Sequence, residues 1–244
     1  MKRIIFALVS MLVLFLAAPV CRAQPVCSNA TLYNIGTYSW VEQVSYPTAG
    51  ALVGYVSFLS SGSWLGVITG GTGGSLSSNN ISGTYSVNSN CTLAVNFANG
   101  GVHTQGIIVS SGNEVFLDQA TPGATYLVDL KGVGATSCSN ATLYNIGNYG
   151  WASESFYPAI GIDVGYISFT SSGTLAGVIY GGTTGSGSSY NIAGTYAVIS
   201  NCTLSVNFSG GSTAEGIIVS NGKEVILTQS SPSGTNEIMD LKTE

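Results

Sequence analysis

A block of about 110 residues occurs twice in this chain, and no other feature limits its fold as strongly. Cys27-Ser-Asn-Ala-Thr-Leu-Tyr-Asn-Ile-Gly36 recurs as Cys138 to Gly147, an offset of 111. Residues 27–96 align with 138–207 without a gap, at 46 identities in 70 positions. One residue is then lost in a Gly-rich loop and regained near Ser233, so that Asp129-Leu130-Lys131 matches Asp240-Leu241-Lys242. The period is too long for a solenoid repeat and suits a whole small domain. We therefore expect a leader over 1–23 and two homologous units over 24–134 and 135–244. The joint, Gly132 to Ser137, is short and keeps them close.

The leader reads as a secretory signal peptide. Lys2 and Arg3 precede an uncharged apolar run, Ile4 to Val20, and small residues stand at −3 and −1 of a cut before Gln24. Seventeen residues sit at the lower limit for spanning a bilayer, and no later stretch is apolar enough, so no transmembrane segment is expected after cleavage. The destination is the periplasm or the exterior. Beyond the leader the chain keeps Lys131, Lys223 and Lys242 against eleven acidic residues, a formal charge of −8. Such a chain cannot neutralise phosphates, which excludes electrostatic nucleic-acid binding. Its 45% hydrophobic and 10% aromatic content argues against disorder. Cys21 leaves with the leader. The remaining four cysteines allow three pairings, and their identical placement in each unit favours Cys27–Cys91 and Cys138–Cys202. With no C-x-x-C spacing and a single histidine, no metal site is expected.

Each unit reads as all-β from end to end. Ile81, Gly83, Tyr85 and Val87 share one face, with Ser82, Thr84 and Ser86 on the other; Cys91, Leu93, Val95 and Phe97 repeat the pattern. The first unit shows about eight strand-like segments, near 33–45, 52–60, 63–69, 81–88, 91–97, 103–110, 113–120 and 124–131. Turn residues separate them, and in the second unit Asn221-Gly222 is a type I′ hairpin signal. Short connections imply an antiparallel meander. Two tandem β-barrels of about eight strands each are preferred over two β-sandwiches. Closure removes sheet edges that so charge-poor a chain could not protect.

The pattern Cys-Ser-Asn-Ala-Thr-Leu-Tyr-x-x-Gly-x-Tyr at Cys27 to Tyr38 is followed by Gly-Thr-Tyr-x-Val-x-x-x-Cys-Thr at Gly83 to Thr92 and Gly-x-Glu-Val at Gly112 to Val115. It recurs at Cys138 to Tyr149, Gly194 to Thr203 and Gly222 to Val225. It resembles secreted bacterial β-domains of unassigned function, themselves similar to lipocalin-like and allene-oxide-cyclase-like small barrels. The resemblance implies a barrel fold and carries over no catalytic residue. Lipocalins have Gly-x-Trp on the first strand, and Gly36-Thr37-Tyr38-Ser39-Trp40 departs from it.

Proton chemistry is sparse. His103 aligns with Thr213, so an activity common to both units cannot need it. Glu114 matches Glu224 and Asp129 matches Asp240. The glutamates follow hairpin turns and read as structural or solubilising residues, and each aspartate shares a strand face with Lys131 or Lys242 as a surface pair. Glu42 and Glu154 are offset by one and face opposite ways. The recurring aromatics are the better lead: Tyr38, Trp40, Tyr55 and Tyr85, matched by Tyr149, Trp151, Tyr166 and Tyr196. Facing a cavity, they would suit a small apolar or aromatic ligand; facing outward, a glycan. The expectation is a secreted, non-catalytic tandem binding module with no cofactor. The alternative is a structural or adhesive surface protein. A cyclase or isomerase rests on fold analogy alone.

Overall fold

The computed structural model describes residues 26–243 apart from 47, 74, 99–102, 120–124, 136, 158–159, 184–186 and 232–235. The leader expected over 1–23 lies outside the described residues, as does the side chain of His103. The first eight strands are β1 Thr37–Tyr46, β2 Gly50–Phe58, β3 Ser63–Thr72, β4 Ser77–Val87, β5 Thr92–Phe97, β6 His103–Val109, β7 Glu114–Gln119 and β8 Thr125–Lys131. The second eight are β9 Asn148–Tyr157, β10 Gly161–Phe169, β11 Thr174–Thr183, β12 Ser188–Val198, β13 Thr203–Phe208, β14 Thr213–Val219, β15 Glu224–Ser231 and β16 Asn236–Lys242. Each set runs as an antiparallel meander whose last strand pairs with its first, giving two closed barrels and no sandwich.

Alternation decides what fills them. Tyr38 and Trp40 of β1, Val56 and Phe58 of β2, Tyr85 of β4, Leu93 and Val95 of β5 and Leu117 of β7 point inward and form one apolar core. Inward glycines on neighbouring strands let the small sheet curve. A Cβ on Gly165 would run into the Val178 carbonyl, so only glycine fits there. At the 220–223 loop Asn221 and Gly222 both take positive φ, 57° and 92°, as the type I′ signal requires. Lys223 N–H donates to the Ser220 carbonyl at 3.3 Å.

The expected first strand needs correction. The segment read as strand from residue 33 begins as helix, Asn29–Tyr33, repeated at Asn140–Tyr144. Ser28 N–H donates to Thr31 Oγ1 at 3.0 Å, and Ser139 does the same to Thr142 at 3.1 Å, fixing the first turn. Gly36, at φ 85°, ends the helix by donating to the Leu32 carbonyl. The helix plugs one end of its barrel. Leu32 is fully buried, and Asn29 Oδ1 accepts the Val87 N–H at 2.9 Å. The disulfides Cys27–Cys91 and Cys138–Cys202 tie each plug to the wall, as expected. No helix among the described residues is long and apolar enough to cross a membrane.

The barrels meet through outer faces. Ala51 and Val53 of β2 belong to the apolar cluster of the second barrel, together with the outward-pointing Ile217, Ile226 and Ile238 of β14, β15 and β16. Linker residues seal the edge, where Ser220 and Asn221 donate backbone hydrogen bonds to the Gly132 and Val133 carbonyls. Of the two roles expected for Glu224, structural or solubilising, the structure shows the structural one. Glu224 is buried at this joint and accepts Lys131 Nζ at 2.6 Å and Lys242 Nζ at 3.4 Å. Both lysines also reach the aspartate on their own strand, Asp129 at 3.7 Å and Asp240 at 2.6 Å.

Candidate ligand site

The eight recurring aromatics are not gathered into one site. Tyr38 and Tyr149 lie at the plugged ends, fully buried, and donate to the Gly112 and Gly222 carbonyls at 2.7 Å. Burial pushes both hydroxyls well above the ordinary tyrosine range. Tyr85 and Tyr196 pack edge-on against Phe58 and Phe169 at 4.8 and 4.9 Å and donate to the Leu59 and Thr170 carbonyls. These four tyrosines build the closed half of each barrel, their hydroxyls already engaged. Tyr55 and Tyr166 point outward: Tyr55 packs at the joint, and Tyr166 is 52% exposed. Trp40 and Trp151 remain, inside and nearer the open ends.

Around those two tryptophans the barrels differ. In the first, Trp64 stacks on Trp40 with ring centres 6.2 Å apart and planes within 16°, and Phe97 meets Trp64 edge-on at 4.9 Å. The rings fill the bore. Trp40 Nε1 donates to Glu42 Oε2 at 2.9 Å, and burial raises the Glu42 carboxyl despite that bond.

In the second barrel the Trp64 position is Leu175, and the bore opens into a cavity of about 360 Å³. Trp151, Ile179, Phe208 and Met239 supply apolar walls. Asp163, Tyr190 and Glu237 stand at the mouth, where the first barrel has Leu52, Asn79 and Tyr126. Tyr190 donates to Asp163 Oδ2 at 3.3 Å, and its hydroxyl is pushed up to about 12, first by burial and then by the Asp163 charge. Asp163 Oδ1 is buried and accepts nothing among the described residues. Burial raises the Glu237 carboxyl, the nearby Asp163 charge adds to that, and a hydrogen bond from Ser153 opposes it. The result is an apolar chamber with a rim of two carboxyls and one unoccupied acceptor.

No protein-family model and no curated relative matches the chain. Two solved structures show a distant similarity to it. One is a protein of unknown function from the DUF3598 family of Nostoc punctiforme, 8% identical, covering 91% of this chain and 100% of that one, at a TM-score of 0.27. The other is the isotype 1 transferrin binding protein B of serogroup B Neisseria meningitidis, 9% identical, covering 85% and 76%, at a TM-score of 0.29. Scores this low transfer nothing to the site, which stands on its own geometry.

Reading the aromatics by recurrence leaves Asp163, Glu237, Tyr190 and Leu175 unnoticed, because these are positions where the units disagree. Parity locates the acids: Phe169, Ile167 and Gly165 face inward, which puts Asp163 inward, and Leu241 and Met239 do the same for Glu237.

Proposed function

We propose that the chain is an exported binding protein whose second barrel holds a small molecule with an apolar or aromatic body and a cationic or hydrogen-bond-donating end. The observation that carries this is the open chamber walled by Trp151, Ile179, Phe208 and Met239 beneath Asp163 and Glu237. Its volume is at the small end of ligand pockets, about 300–1,000 Å³. The orphaned Asp163 Oδ1 wants a donor, and desolvated carboxyls in an apolar mouth favour a cation over a neutral isostere. The first barrel, filled by Trp64, acts as scaffold. The two cystine bridges suit an oxidising compartment outside the cytoplasm. A glycan would need outward aromatics. Tyr166 and Tyr180 are exposed, but they share an aliphatic face with Ile162 and Val164, which suits protein packing better than a sugar's hydroxyls.

Titration with a panel of aryl and alkyl amines and the matching alcohols, read by Trp151 fluorescence, tests the reading. Amines are expected to bind more tightly than alcohols, Leu175→Trp to abolish both, and Asp163→Asn with Glu237→Gln to erase the difference. A chain that takes up neither class, or whose Leu175→Trp variant binds as the parent does, overturns it.

A further inference from the structure

The joint between the barrels uses two different faces of the same repeated unit. The first barrel contributes its β2 face, with Ala51 and Val53; the second contributes its β14–β16 face, with Ile217, Ile226 and Ile238. Each face therefore exists twice in the chain, once covered and once free. On the covered copies Ala51, Val53, Ile217, Ile226 and Ile238 are at most 8% exposed, and Tyr55 is partly buried. The free copy of the first is the β10 face, where Ile162 is 64%, Val164 51% and Tyr166 52% exposed. The free copy of the second is the β6–β8 face, where Ile107 is 50% and Leu127 49% exposed beside Phe116. Isolated exposed apolar residues are ordinary, but two apolar faces, each the counterpart of one side of a packed joint, are not.

We propose that these two free faces bind each other between molecules, the β10 face of one chain seating on the β6–β8 face of the next as β2 seats on β14–β16 within the chain. The charges agree. The internal joint is crossed by Lys131 and Glu224, whose counterparts are Lys242 and Glu114, on the unit that carries each free face. The geometry permits it too. Around a barrel the two faces centre on β7 and β2, three strand steps apart, so one barrel can engage both neighbours at once. Such an interface is heterologous, and heterologous contacts propagate. Phe116 and Leu127 line one groove with Ile162 beside the joint, so every added molecule turns the array in the same sense, toward a ring or a helix. Asp118 stands where the second barrel has buried Thr228, and no linker joins the molecules, so this contact is weaker than the internal one and depends on concentration. Neither free face includes the chamber, and the proposal holds whether or not a ligand binds there.

Sedimentation velocity of the chain from Gln24, over a wide concentration range, provides the test. The parent should pass from monomer to species larger than dimer. Val164→Asp, which spoils the β10 face, and Leu127→Asp, which spoils the β6–β8 face, should each remain monomeric, with the circular dichroism and melting of the parent. An equimolar mixture of the two retains one good face of each kind and should give a dimer and nothing larger. A parent that stays monomeric at the highest concentration, assembly that survives both substitutions, or a mixture that stays monomeric while the parent assembles overturns the proposal.

Discussion

One residue pair, Trp64 and Leu175, sets the difference between a filled bore and an open one. Trp64 is 2% exposed, and its Nε1 is buried without a hydrogen-bond partner among the described residues. Replacing it by leucine removes ring contacts and leaves a void, which alone costs about 2–4 kcal/mol, but it also removes an orphaned donor worth about 1–3 kcal/mol. The two oppose, so Trp64→Leu should destabilise the first barrel by only about 1–2 kcal/mol in urea unfolding while making its interior accessible to small apolar probes. A Trp40→Ala variant has no such offset. It also strands the half-buried Glu42 carboxyl, and should be the more damaging of the two. The aromatic residues were legible from the chain by their recurrence. Their division into wall, joint and chamber was not, because recurrence marks what the units hold in common, whereas the site lies where they diverge.

At the scale of elements, strand alternation and turn chemistry locate most of the sixteen strands to within a few residues, and the edge argument favours closure. The Asn29–Tyr33 plug escapes that reading because five residues are too few to show a helical period or to be stable alone. Tertiary contacts hold it: Leu32 in the core, Asn29 on β4, and Cys27 bridged to Cys91. Each bridge closes a loop of 64 residues, and chain entropy assigns such a loop about 4 kcal/mol. Paired serine substitutions at Cys27 and Cys91 should therefore lower unfolding stability by about 3–4 kcal/mol, as should those at Cys138 and Cys202. The two losses lie in separate barrels and should add in denaturant titrations.

For the whole molecule, the carboxyls of Glu42, Asp129, Glu237 and Asp240 are all shifted upward, in each case first by burial. Asp129 rises from 3.8 to about 6. A raised acid means that the fold holds protons which the unfolded chain has released. That stabilisation is complete below the ordinary carboxyl values and is lost as pH rises through the shifted ones. Lys131 and Lys242 are raised as well, and their contribution disappears only above the ordinary lysine range. Acidification also relieves the self-repulsion of an acidic chain. The melting temperature should thus be higher near about pH 5 than near about pH 8, by roughly 2–4 °C for each kcal/mol involved. The joint was beyond the reach of sequence because similar units predict similar surfaces, and only packing reveals which copy is covered. The placement of the bridges has a mechanical consequence. Under tension applied through the chain ends, force entering at Cys27 passes straight to Cys91, and from Cys138 to Cys202, so β1–β4 and β9–β12 lie off the covalent path of the force. With the sulfurs joined, each barrel withholds 64 residues of slack, ~220 Å of reach, that the reduced chain would surrender when stretched.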